Sequence, residues 1–146
     1  MTSNLHNKYV TFKLGKEYYG LPIDNVLSIE KPSKTTRIPN APDYIIGLIN
    51  LRGDVIPVID LRVKLGMEKI GIDKDSRIII VREKDIVVGL MVDSSKEVLD
   101  IDEENINKPP ESEDDTIVDY ISGIGKKDER LVIILNSMRL LDIRSQ

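Results

Sequence analysis

No cysteine or tryptophan occurs among the 146 residues, and histidine, phenylalanine and glutamine occur once each. Without cysteine there is no disulfide, no thiolate metal ligand and no thiol nucleophile. The single histidine, His6, sits in a polar N-terminal segment. Nucleophilic triads need an imidazole held in place by a neighbour, so His6 reads as a solvated side chain, and no catalytic residue is expected. Long apolar runs are missing too. None approaches the roughly 20 residues that span a bilayer, and residues 1–8 lack the apolar stretch of a signal peptide. Basic charge is in deficit, with 21 Lys and Arg against 25 Asp and Glu and a net charge of −4. A nucleic-acid binder needs a basic field. Neither a G-x-x-x-x-G-K-[ST] loop nor a G-x-G-x-x-G turn after a strand is present, so no phosphate cradle of those kinds is expected. The expectation is a cytoplasmic protein with no cofactor and no metal, binding no nucleic acid and not inserting into a membrane.

Two acidic patterns invite a chemical reading and fail it. Asp100, Asp102, Glu104 and Glu111 have the spacing of calcium-loop ligands, but Asn105 stands where the loop needs glycine. Pro109 and Pro110 obstruct the helix that would carry the last ligand. Asp54 and Asp60 flank one strand, about 20 Å apart, beyond the roughly 6.5–9.5 Å of an inverting carboxylate pair.

What is abundant is β-branched. Isoleucine (22) and valine (12) together outnumber leucine (14), and such side chains suit a pleated sheet. Strands are expected at 9–14, 17–21, 23–29, 55–59, 77–81, 85–92, 96–101, 117–125 and 131–135. Residues 43–48 suggest a short helical turn ending near Gly47, 61–65 a short helix, and 136–143 a C-terminal helix capped by Asn136. Residues 32–42, 50–54 and 102–116 read as loops and turns. Pro57 cannot donate to a ladder, which puts it at an edge or a bulge. Arg52-Gly53-Asp54 reads as a turn, with Gly53 supplying positive φ.

The chain repeats. A shift of 69 brings Gly20 onto Gly89, Leu21 onto Leu90 and Asp24 onto Asp93; a shift of 76 brings Gly47 onto Gly123 and 55–59 onto 131–135. A unit that short buries little core alone, so two such units should pack together as small five-stranded barrels or a sandwich. The division expected is 9–14 with 77–135, and 15–76 with 136–146. The apolar run 55–59 would lie at the seam. Arg52, in a turn beside apolar strands, is either simply solvated or a fixed fork of donors for a partner.

Gly47-Leu-Ile-Asn-Leu-Arg-Gly-Asp-Val-Ile-Pro-Val-Ile-Asp-Leu61 resembles the signature of the CheW family, the coupling proteins of bacterial chemotaxis. Arg37-Ile-Pro-Asn-Ala-Pro-Asp-Tyr44, Leu21-Pro-Ile-Asp-Asn-Val26, Val88-Gly-Leu-Met-Val-Asp93 and 131–135 fit the same pattern, so the resemblance spans nearly all of 1–146 as one CheW-like domain. It implies a mainly β fold of two intertwined five-stranded SH3-like barrels, with short helices and a C-terminal helix, and no enzymatic activity. It implies two partners: the regulatory domain of the kinase CheA and the cytoplasmic tip of a methyl-accepting chemoreceptor. The implied receptor-binding positions are Val10, Ile23, Val26, Arg52 and Ser95, the last polar where some relatives are apolar. Ile29 and Gly47 match positions tied to kinase coupling. Two other readings remain open: a stand-alone barrel that regulates a different signalling kinase, and a small enzyme or ligand-binding module built on clustered carboxylates.

Overall fold

The computed structural model describes residues 7–109 and 116–141. The β-rich segments form β1 (Lys8–Leu14), β2 (Glu17–Pro22), β3 (Val26–Glu30), β4 (Ile45–Leu51), β5 (Asp54–Asp60), β6 (Arg77–Glu83), β7 (Ile86–Val92), β8 (Ser94–Asp100), β9 (Ile106–Asn107), β10 (Ile121–Lys127) and β11 (Arg130–Leu135). Two one-turn helices, α1 (Leu61–Lys64) and α2 (Ser137–Leu140), follow β5 and β11. Each is started by a side-chain oxygen: Asp60 accepts from the Val63 N–H, and Asn136 from the Arg139 N–H.

The strands form two sheets. The first runs β8-β1-β2-β11-β10-β9 and the second β3-β6-β7-β5-β4. The repeat is visible in all of this arrangement except β9. A shift of 69 carries β1 onto β6, β2 onto β7 and β3 onto β8, while 76 carries β4 onto β10, β5 onto β11 and α1 onto α2. Even the irregularities correspond. A register shift falls between Ile45 and Gly47 and again between Ile121 and Gly123. The parallel pairing of Val58 with Gly89 reappears as Ile134 with Gly20.

The opening hairpin of each repeat joins the last strands of the other, so the sheets are intertwined. This corrects the expected division of the chain. β2 stays with β1 because the two-residue turn at Gly15 (φ 65°) and Lys16 holds them as a hairpin. The β6–β7 hairpin belongs with β3, β4 and β5 instead.

Three apolar clusters hold the fold. Ile49, Ile56, Val58, Ile78, Ile80 and Met91 form one cluster on the second sheet. Tyr9, Ile101, Val132 and Ile134 form another on the first. A larger central cluster joins them, with Val10, Phe12 and Leu21 from the first sheet and Ile59, Ile79 and Leu90 from the second. β1 serves two cores through its alternation: Tyr9 faces one, Val10 and Phe12 the other.

Several elements differ from expectation. Residues 43–48 hold no helix: β4 begins at Ile45, and Gly47 serves close packing there rather than a helix end. The strand at 55–59 is interior to its sheet. Pro57 lies just outside the parallel pairing with β7, which covers Val58–Asp60, so its missing N–H breaks no bond there. Val55, expected under cover, is 65% exposed. The first sheet has six strands because Ile106 and Asn107 pair with β10 inside the expected loop. The C-terminal helix ends at Leu140, and residues 142–146 lie outside the described part, as do His6, Pro110 and Glu111.

Candidate functional site: two apolar surfaces

The expected site residues fall into two groups on different parts of the fold. The first group lies at the seam between the sheets. The chain leaves β2 at Pro22, makes a 3₁₀ turn at Ile23–Asn25, and enters β3 at Val26. Ile23 and Val26 are half-buried and lean on the central cluster. Val10 lies beneath, paired with Leu21 and only 3% exposed. It shapes the surface from below and presents almost nothing to a partner. Ser95, on β8 opposite Phe12, donates from Oγ to the Thr11 carbonyl at 3.2 Å. Its hydroxyl is thereby spent inside the first sheet.

The second group sits at the open end of the second sheet. The β4–β5 hairpin turns on Arg52 (φ 52°) and Gly53 (φ 92°), the positive-φ pair that a two-residue turn needs. Asn50 Oδ1 accepts from the Gly53 N–H at 3.1 Å. The turn projects the Arg52 guanidinium to Glu30, Nη2 to Oε2 3.2 Å, so the hairpin is tied to the end of β3. β3 and β4 are the two edges of this sheet, and the ion pair closes the curl. A hydrogen bond from Ser28 and the Arg52 contact hold the Glu30 carboxyl below the usual carboxylate range, against the effect of burial. Arg52 keeps 70% of its side chain exposed, so its outer donors remain open to solvent.

Around this pair lies an apolar rim. Ile29, 43% exposed, pairs with Ile79 and so lies on the central-cluster side of β3, whereas Leu27, at the register shift of β3, and Val55 of β5 are 53% and 65% exposed. Between them is a groove of about 600 Å³ lined by Leu27, Ser28, Arg52, Val55, Arg82 and Asp85. Arg52 lines this groove with Leu27 and Val55; Val10, Ile23, Val26, Ile29 and Ser95 do not line it.

Gly47 belongs to neither surface. A Cβ there would sit 2.5 Å from the Thr36 carbonyl oxygen. Thr36 and Leu48 exchange backbone hydrogen bonds of 2.8 Å in both directions. Gly47 lets loop 32–37 lie flat on β4.

The sequence reading missed Leu27, Glu30 and Val55. The register shift between Val26 and Ser28 puts Leu27 at a bulge, so alternation along the strand gave no signal for its exposure. Nothing local linked Glu30 to Arg52, 22 residues away. Asp54 and Asp60 lie at opposite ends of β5, and Asp60 is occupied as a helix cap. Among the described residues no three His, Cys, Asp or Glu side chains gather in a way that would hold a metal ion. No described helix is long and apolar enough to cross a membrane.

The family model described as CheW-like domain matches residues 8–145. The chemotaxis protein CheW of Helicobacter pylori is 39% identical over 135 residues, covering 92% of this chain and 81% of the relative. That of Bacillus subtilis is 40% identical over 139 residues, covering 94% and 88%. Among solved structures, the scaffolding protein TtCheW from Thermoanaerobacter tengcongensis superposes with a TM-score of 0.86 at 42% identity, covering 96% of this chain and 95% of that one. Two sheets built from an exchanged repeat, with matches of this extent, leave one assignment: the chain belongs to the CheW family of chemotaxis scaffold proteins.

Proposed function

We propose that this chain is a non-catalytic coupling scaffold that holds a chemoreceptor's cytoplasmic tip and the histidine kinase CheA together in the cytoplasm, joining receptor arrays through those partners. The observation that carries the reading is the separation of two apolar surfaces on one rigid chain. The seam surface at Ile23 and Val26, backed by Val10, suits a helical hairpin that lays apolar side chains into a shallow groove. Ser95 supports that surface from within. The open end of the second sheet, with Leu27 and Val55 beside the Arg52–Glu30 pair, suits another β-barrel, the regulatory domain of CheA. An arginine beside exposed aliphatic side chains has the composition of an interface hot spot. On this reading Arg52 serves the kinase surface, where the resemblance had implied the receptor surface. Gly47 acts on kinase coupling indirectly, by fixing the strand that carries the Arg52 turn.

Binding assays with the purified partners test this. Val26→Asp is expected to weaken receptor-tip binding and leave kinase-domain binding intact. Arg52→Ala is expected to do the reverse. If both variants fold and each loses both partners equally, the two-surface assignment is wrong.

A further inference from the structure

The chain passes between the sheets at only two places among the described residues. One is the turn at Ile23–Asn25, between β2 and β3. The other is a single residue, Asp93, between Val92 of β7 and Ser94 of β8. The repeat makes them equivalent, with Asp24 matching Asp93. They lie toward opposite ends of β1: Pro22 pairs with Tyr9, and the Asp93 N–H donates to the Lys13 carbonyl at 3.1 Å.

The two passages are held differently. Asp93 is gripped at both carboxylate oxygens by Arg62 of α1, with Nε to Oδ1 at 2.8 Å and Nη2 to Oδ2 at 2.7 Å. The Gly15 N–H, in the β1–β2 turn, donates to the same Oδ2 at 2.7 Å. Arg62 also donates from Nη1 to the Glu68 carbonyl at 3.1 Å. Arg62 belongs to the second sheet's side and Gly15 to the first, so the clasp spans the seam at the residue where the chain crosses it. Side-chain exposures of 14% and 21% place the pair mostly out of water, where a bidentate charged contact is strongest and most directional. The position equivalent to Arg62 on α2 is Met138. Near that passage Ser137 Oγ (2.5 Å) and Asn25 Nδ2 (3.1 Å) donate to Glu83 Oε1.

We propose that Arg62 is a positioning residue: its fork on Asp93 fixes the angle between the two barrels and so the shape of the seam surface at Ile23 and Val26. The inference rests on the proposed use of that surface. Two packed bodies joined at two short passages move by hinge or shear about them. Holding one passage at three points leaves the other no independent freedom, and β1 transmits the constraint along its length.

Interbarrel distances test it in the full-length chain. The absence of native cysteine allows clean spin labelling at Ile86→Cys on β7 and Lys126→Cys on β10, both exposed. The parent is expected to give one narrow distance population. Arg62→Met, which copies the repeat's Met138, is expected to broaden it or add a second population, and to weaken receptor-tip binding about tenfold. Arg62→Lys, keeping charge but losing the fork, is expected to fall between. Asp93→Asn, equal in shape, provides the same reading where Arg62→Met does not fold. An unchanged distance distribution in a folded Arg62→Met or Asp93→Asn protein overturns the proposal, whatever happens to stability. Broadened distances with no receptor binding by the parent protein would instead uphold the clasp and overturn the scaffold reading.

Discussion

At the scale of single residues, Gly47 and Arg52 sit five positions apart and do unrelated work. Gly47 is there for space. Adding one methyl pushes into a backbone carbonyl that is itself hydrogen-bonded, and neither partner can move cheaply. Gly47→Ala is expected to lower unfolding free energy by about 1–3 kcal/mol, read from urea denaturation with an unchanged m-value. A shift below a few tenths of that would mean the loop simply lifts. Arg52 is the opposite case. Its guanidinium is mostly exposed where it meets Glu30, and pairs with one solvated partner contribute about 0–1 kcal/mol. Arg52→Ala should therefore leave thermal stability nearly unchanged while kinase-domain binding falls, so that a large stability loss would assign Arg52 to the fold. Sequence alone could not separate these roles. The Gly47 clash lies with Thr36, and the Arg52 contact is with Glu30. Both partners are set by strand pairing that leaves no trace in local composition.

At the scale of elements, the strands were mostly legible because alternation and turn residues mark them. β6 and β7 were placed closely, and so was the Asn136 cap. The failures share one cause, that tertiary placement overrides local pattern. Residues 43–48 looked helical because Gly47 resembled a helix stop, but Ile45, Ile46 and Ile49 suit a strand and glycine fits a bulge. Val55 matched its neighbours in apolarity yet faces out, since exposure depends on where the sheet ends. The repeat announced two units without saying which strands each would contribute. Asp93 shows the same limit. It entered as a matching letter in a repeat, and its role appears only when Arg62 and Gly15 converge on it.

That clasp has a pH signature. Burial works to raise the Asp93 carboxyl, but hydrogen bonds from Arg62 and the Gly15 N–H, together with the Arg62 charge, outweigh it and hold it below the usual range. Its folded value is thus lower than its unfolded one. The stabilisation is present in full at neutral pH and is lost as pH falls from the ordinary aspartate range through the depressed folded value. Asp93→Asn is expected to cost about 1–3 kcal/mol at pH 7. The difference from the parent should shrink as the pH is lowered into the acid range. A difference constant with pH would show that the cost is packing rather than charge.

At the scale of the whole molecule, the proposed scaffold role calls for an architecture that transmits a state by geometry. The central cluster belongs to both sheets, so neither barrel closes its core alone. With the Arg62–Asp93 clasp holding one passage between the sheets, surfaces on different parts of the molecule keep a fixed relation. Coupling would then be geometric: what binds the seam is held at a set distance and angle from what binds the open end. The measurement that tests this most directly is co-sedimentation of the chain with a CheA regulatory domain and a receptor cytoplasmic tip together. The account predicts a ternary complex with one copy of each. In it Val26→Asp should release only the receptor and Arg52→Ala only the kinase domain. Mutual exclusion of the two partners by the parent protein would contradict it.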